Sequence, residues 1–537
     1  MTATTKPDIK SRSPGAQPAA NRQTRATVLV LGFHLVLVTL TALYIYVRTL
    51  PPTPVPMPRP QHAEAAWWGF WPVTYVPDLL FTSGVILILA LLIWLWYVDW
   101  SDIAPISAKT SLPPTPAPRP RGLPLWMPVT GALFVVAFYL FPIVHTRWGD
   151  AYILSRAISW PDPALRLTHT WQAPLDVALH SWVWQWLHAP LGWEDATPVY
   201  YLLSPIAGIL YLTGVMGIAR DARFAPGWLT FGLLMTLGLL QQFFGYIENY
   251  SFIIAGMLIY LWLAIDTLRG ERPLWQPALA LALTHALHPS TIILAPTLLL
   301  CGWFVLQRRH PNAHFPRALF RRAQSGPVLW AIAWPMLLVF GLTVLMMESG
   351  GHGLLALLTH DQPGGSDGSW FVPLFETSSR WEHYTMFSWL HLRDYLNEKV
   401  LSGPVVVWSL LWLALARSIG WVASFTRPAA PVTHPENDPA ADPVADPGER
   451  HILRFLVTSS ALYLLFVWVW NPDYGGQRDW DLFSPVAVPT TVLLIYLLPR
   501  ALSTPWRLLM VGAPMILLQL LATAAWIYQN TLPWEWP

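Results

Sequence analysis

Residues 76–98 read VPDLLFTSGVILILALLIWLWYV, an apolar stretch in which Asp78 is the one charged side chain. A helix rises about 1.5 Å per residue, so such a stretch can cross the roughly 30 Å hydrocarbon core of a bilayer and satisfy its backbone amides internally. Comparable runs fall at 26–47, 123–144, 198–219, 226–245, 250–268, 275–288, 290–306, 327–347, 403–424, 452–470, 482–499 and 505–528. The pattern predicts an all-α, polytopic integral membrane protein of about thirteen transmembrane helices. The runs 275–288 and 290–306 are short and separated by His288-Pro289, so a hairpin that does not fully cross is an alternative there.

Composition points the same way. Of 537 residues 54% are hydrophobic and 12% charged, and the mean hydropathy is +0.41, too apolar for a water-facing surface. Many of the 33 Trp lie at the ends of apolar runs, where amphipathic rings settle among headgroups. A formal charge of +2, without concentrated Lys and Arg, argues against nucleic acid as a partner. The single cysteine, Cys301, excludes an intramolecular disulfide and a Cys-based metal cluster. No Gly-x-Gly-x-x-Gly or Walker-type loop is present, so no recognisable nucleotide-binding domain is expected.

Residues 1–25 are polar and basic and lack the apolar core of a signal peptide, which reads as a disordered cytoplasmic tail. Lys and Arg favour alternate connections by more than two to one, with Arg308, Arg309, Arg317, Arg321 and Arg322 in a single one, so the N-terminus is expected inside the cell. The organisation that follows has an N-terminal transmembrane pair with Pro-rich connections at 26–122 and a membrane core at 123–347. A second long outer loop spans 348–402, and C-terminal helices occupy 403–537 with a disordered inner linker at 427–450. The first outer loop, 145–197, holds Leu175, Leu179, Trp182, Val183 and Trp186 at helical spacing, with Asp176, His180, Ser181 and Gln185 off that stripe. This predicts an amphipathic helix on the outer leaflet.

With that alternation, Asp150, Glu248, His288, His383, Arg478, Asp479 and Asp481 all fall on the outer side, from separate connections. Few ionisable groups lie at mid-membrane depth, which counts against a pump or an ion-coupled carrier. Asp150, just above the third apolar run, suits a general base kept at raised pKa by partial desolvation, or else a helix cap or ion partner of Arg147. Arg478, within NPDYGGQRDWD at 471–481, carries the planar fork that binds phosphate in bidentate fashion. The same loop is alternatively held by pairing of Arg478 with Asp473, Asp479 or Asp481. Glu248, in a tight turn, must be paired or used, because an isolated charge in apolar surroundings is costly. His288 and His383 are possible donors to a phosphate, against a proline-associated break and an ordinary loop histidine. Oxygen ligands from Asp150, Glu248 and Asp481 could hold a divalent ion, though no spacing demands a metal. Asp150, Glu248 and Arg478 are expected to line one cavity.

A span, then a loop opening with an acid, then Trp171-Gln172-Ala173-Pro174-Leu175 leading an amphipathic helix, resembles the GT-C superfamily of membrane glycosyltransferases over about residues 123–306. The likeness is to the bacterial branch with protein O-mannosyltransferase-like and aminoarabinose-transferase-like enzymes. Gly149-Asp150-Ala151 stands where that branch often has an Asp-Glu pair, and the first two spans are an addition. The resemblance implies Asp150 as catalytic base and a polyprenyl-phosphate-linked sugar donor. The partners it implies are membrane lipids and a lipid, glycan or protein acceptor offering a hydroxyl or amine. A polysaccharide ligase or polymerase, leaning on outer-loop Arg and His, and a lipid or sugar transporter are the rival readings.

Overall fold

The structure is a computed structural model, in which the described residues are 16–51, 62–101, 123–310, 322–359, 369–420, 422, 447–502 and 504–534. Among them secondary structure is helical, apart from an isolated bridge between Phe371 and Trp470. Nine helices are long and apolar enough to cross a bilayer, and a bent pair would make a tenth. The chain is therefore an all-α, polytopic membrane protein. Its outward apolar surface has the bilayer as solvent, which is why Leu79 and Ile93 of the second span remain 77% and 71% exposed.

The N-terminal pair is α1 (Ala16–Arg48) and α2 (Asp78–Trp100). The expected tail lies outside the described residues as far as residue 15, and from Ala16 the chain is already helical. Most of the linker expected at 427–450 also lies outside them. After α3 (Trp126–Leu140) comes the loop helix α4 (Pro174–Leu191), begun by a proline in its first turn and ended by Gly192 at φ +66°. α5 (Thr197–Ala219), α6 (Gly227–Leu234), α7 (Ser251–Leu268), α8 (Trp275–Leu287), α9 (Ala295–Arg309) and α10 (Arg322–Ser349) complete the core. The run at 226–245 is not one continuous helix: α6 stops at Leu234 and a 3₁₀ turn covers Gly238–Phe243. Gly238 passes so close to the Leu401 carbonyl that a Cβ would collide with it.

Leu401 belongs to α11 (Trp389–Ser402), which meets α12 (Val406–Ser418) at 105°. α13 (Pro447–Val469), α14 (Ala487–Ala501) and α15 (Pro505–Asn530) follow. The segment Trp480–Ala501, which contains α14, is enclosed along its whole apolar length and packs on α6, α7, α12 and α13. It is the axis of the bundle. At the end where α14 finishes, Arg269 pairs with Asp221 and, at 3.0 Å, with Glu449, while Arg500 also reaches Glu449. Arg308 donates to the carbonyls of Thr267 and Leu268 at 3.1 and 2.9 Å, where the terminal carbonyls of α7 favour a cation.

α4 turns polar as well as apolar side chains toward the protein. Asp176, His180 and Ser181 are buried against the protein, whereas Trp182 and Trp186 are exposed. His180 approaches Asp176 at 3.2 Å and stacks on Tyr200. Of the apolar stripe, Leu175, Leu179 and Val183 pack against the core and only Trp182 and Trp186 stay exposed.

Candidate functional site

Several connections meet where the axial segment begins. Ile143 N–H donates to Phe244 O at 2.8 Å, Val144 N–H to Asn530 O at 3.0 Å, and Gly149 N–H to Arg478 O at 2.9 Å. These backbone bonds place three expected site segments side by side.

Asp150 is the N-cap of a short helix, Ala151–Ile158, but its carboxylate makes no capping bond. Oδ1 instead accepts from the Tyr474 hydroxyl at 2.9 Å. Nor is Arg147 its ion partner, since that guanidinium pairs with Glu64 at 2.7 Å. Burial raises the Asp150 pKa, with the Tyr474 hydrogen bond and the Arg478 charge opposing it. Gly149, at φ +47°, supplies the turn: a Cβ there would run into the Glu248 carboxylate and lie 3.0 Å from Asp481 Oδ2.

Glu248 is buried, accepts the Asp150 backbone N–H, and accepts that of Asn249 at 3.3 Å. Burial, then the neighbouring carboxylates of Asp481 and Asp150, hold its pKa well above the ordinary value. Asp481, at the start of the axial segment, accepts from the Tyr246 hydroxyl at 3.0 Å and from Leu482 N–H at 2.9 Å. Asp479 accepts the Tyr474 N–H at 2.7 Å, closing the glycine turn, and burial followed by Asp481 raises its pKa strongly. Arg478 lies over the Tyr474 ring at 4.6 Å and donates from Nη2 to Gly149 O at 3.4 Å.

Beside this knot is a cavity of about 280 Å³ lined by Arg147, Arg393, Arg478, His383, Asp394 and Tyr474, with Trp68, Trp148, Tyr384 and Trp534 among its aromatic walls. Of the three residues expected to line one cavity, only Arg478 does so. Asp150 connects to it through Tyr474. His383, whose ring nitrogen is 2.9 Å from Asp473 O, is among the residues lining the cavity. His288 does not: Nδ1 accepts the Ser290 N–H at 3.1 Å, the ring lies against Tyr250, and burial lowers its pKa to about 4. It therefore shapes the break that Pro289 imposes.

Among the described residues no group of three or more His, Cys, Asp or Glu side chains is disposed to hold a metal ion, the set Asp150, Glu248 and Asp481 included. Sequence reasoning missed Glu64, Asp394 and Tyr474. Glu64 also accepts from Gln477 Nε2 at 3.3 Å, and Asp394 accepts from Trp68 Nε1 at 3.2 Å. A lone acid in an alanine- and tryptophan-rich connection was the available signal for Glu64. For Tyr474, its place inside the NPDYGGQRDWD loop was the signal.

Comparison of the chain with protein-family models, curated proteins and solved structures gives no match.

Proposed function

We propose that the chain transfers a sugar from a polyprenyl-phosphate-linked donor to a hydroxyl or amine acceptor, with inversion, on the outer face of the cell's inner membrane. The N-terminus is then cytoplasmic. The observation that carries this reading is a partly desolvated carboxylate, Asp150, one tyrosine away from a cavity lined by three arginines.

In this scheme the acceptor oxygen or nitrogen attacks the anomeric carbon as the bond from that carbon to the phosphate oxygen breaks. The polyprenyl phosphate departs with the bonding electrons, and Asp150 takes the acceptor's proton. Tyr474 lines the cavity and donates to Oδ1, so its hydroxyl relays that proton, giving its own to Oδ1 as it takes the acceptor's. A raised carboxylate pKa brings the base closer to neutral pH and strengthens proton transfer. Arg478 holds the departing phosphate through its fork, on the same wall as His383, whose Nε2–H is given to Asp473 O. Glu248, Asp479 and Asp481 shape the loops rather than touch the substrate.

The test is turnover of a synthetic lipid-linked sugar by wild type and Asp150→Asn in nanodiscs, with thermal unfolding measured alongside. The amide keeps the carboxylate's size but cannot take the proton, so a loss of about 10²–10⁴-fold is expected with melting retained. Equal turnover overturns the proposal.

A further inference from the structure

The second long loop and the first turn of α11 leave a row of large apolar side chains largely uncovered. Val372 N–H donates to Val469 O at 2.9 Å, Asn471 N–H to Trp370 O at 3.0 Å and Met386 N–H to Pro373 O at 2.7 Å. Two stretches of the loop therefore lie side by side against the last turn of α13. Successive side chains of extended stretches point to opposite faces. Val372, Tyr384 and Met386 turn inward and pack with Trp468 and Val469. Phe371, Leu374, Phe375, Phe387 and Trp389 turn outward, with Phe375 78% and Phe387 72% exposed. Grouped in this way, unlike apolar residues scattered singly, they mark a surface for contact.

The depth of this row identifies what covers it. α13 crosses as a span of 22 residues, Gly448–Val469, about 33 Å against a hydrocarbon core of about 30 Å. Glu449 at its start belongs to the ion network at the other end of the bundle, so its last turn falls at the boundary between acyl chains and headgroups. Phe371 is bridged to Trp470 there. α11 lies against the same turn, with the His391 and Tyr395 rings 4.3 and 5.2 Å from that of Trp468. Because α11 meets α12 at 105° and α12 packs on α1 and α14, α11 runs across the bundle, near the plane of the membrane. Beside the apolar row the loop has a polar edge: Glu376, Thr377, Ser378 and Arg380 are exposed, and Glu382 accepts from Ser378 Oγ and Ser379 N–H at 3.0 Å.

We propose that this row is a lipid-contact surface, seated in the leaflet on the Asp150 side of the bundle where headgroups meet acyl chains, with the bilayer as its partner. Aromatic rings suit that depth, and an apolar edge beside a polar one holds an element in the interface rather than across the membrane. The second loop is thus a membrane-seated platform and not a segment standing free in water. This contact does not rest on the transfer chemistry above. α11 also gives Leu390, Arg393 and Asp394 to the cavity wall, so the cavity lies at headgroup level, within reach of a molecule held in that leaflet by an apolar chain.

The experiment is spin-label accessibility of the full chain in phosphatidylcholine nanodiscs. Oxygen is the relaxing reagent that concentrates among acyl chains, and a neutral nickel chelate is the one that stays in water. Cys301 is buried, so the label goes to the cysteine introduced by Phe375→Cys or Phe387→Cys, each of which replaces an exposed ring. Ile93→Cys, on the lipid-facing side of α2, is the membrane reference. The logarithm of the oxygen-to-chelate relaxation ratio should be positive at 375 and 387, as it is at 93. Should one of the two variants lose its melting transition, the other decides alone. Negative values mean that water covers the row, and protection from both reagents means that protein does, whether another stretch of this chain or a second copy. Either result overturns the proposal.

Discussion

Gly149→Ala measures how tightly the acidic knot is built. At φ +47° an L-residue costs about 1–2 kcal/mol from Cβ crowding against its own backbone. The added methyl must also displace the Glu248 carboxylate, which accepts the Asp150 N–H. Leaving that buried donor unsatisfied costs a further 1–3 kcal/mol, roughly. The sum is about 2–5 kcal/mol. Gly192→Ala is the matched control: its φ is +66° but its Cβ would meet nothing within 4 Å, so it should lose only the backbone share. Both variants can be titrated with denaturant in mixed micelles and followed by tryptophan fluorescence. Equal losses for the two would refute the argument that Glu248 and Asp481 crowd Gly149.

Glu248→Gln should flatten the alkaline side of the stability profile. Its pKa is raised in the folded state, so its stabilising contribution is present at low pH and disappears as pH rises through that folded value; unfolding free energy against pH for both proteins checks the sign. Arg269→Met should cost about 1.5–3 kcal/mol, because it removes bonds to two carboxylates while Asp221 keeps Arg223 at 3.0 Å and Glu449 keeps Arg500. Since that network lies at the far end of the bundle from Asp150, turnover of the lipid-linked sugar by the folded variant should match wild type.

The convergence of Asp150, Glu248, Arg478, Asp479 and Asp481 was legible because alternating spans put their connections on one side of the bilayer. Which of them reaches the cavity was not, because that depends on side-chain direction: Tyr474 stands between Asp150 and the open space. The helix at 174–191 was likewise legible as an element. The burial of its polar face followed from partners distant in sequence, such as Tyr200 against His180. The expected span at 226–245 failed at Gly238 for a similar reason, since the backbone that passes it belongs to Leu401.

Arg147 is gripped by Glu64 on one side and stacked by Trp534 on the other, so the cavity draws its walls from segments near opposite ends of the numbering. A chain made from its N-terminus and inserted helix by helix carries Arg147 and Glu64 into the membrane long before Trp534 exists. Until α15 is in place, Trp148 also lacks its bond to Asn530, 382 residues further on, at 2.6 Å. The cavity wall is thus incomplete until α15 and Trp534 are in place, and a molecule stalled before them carries only part of that wall.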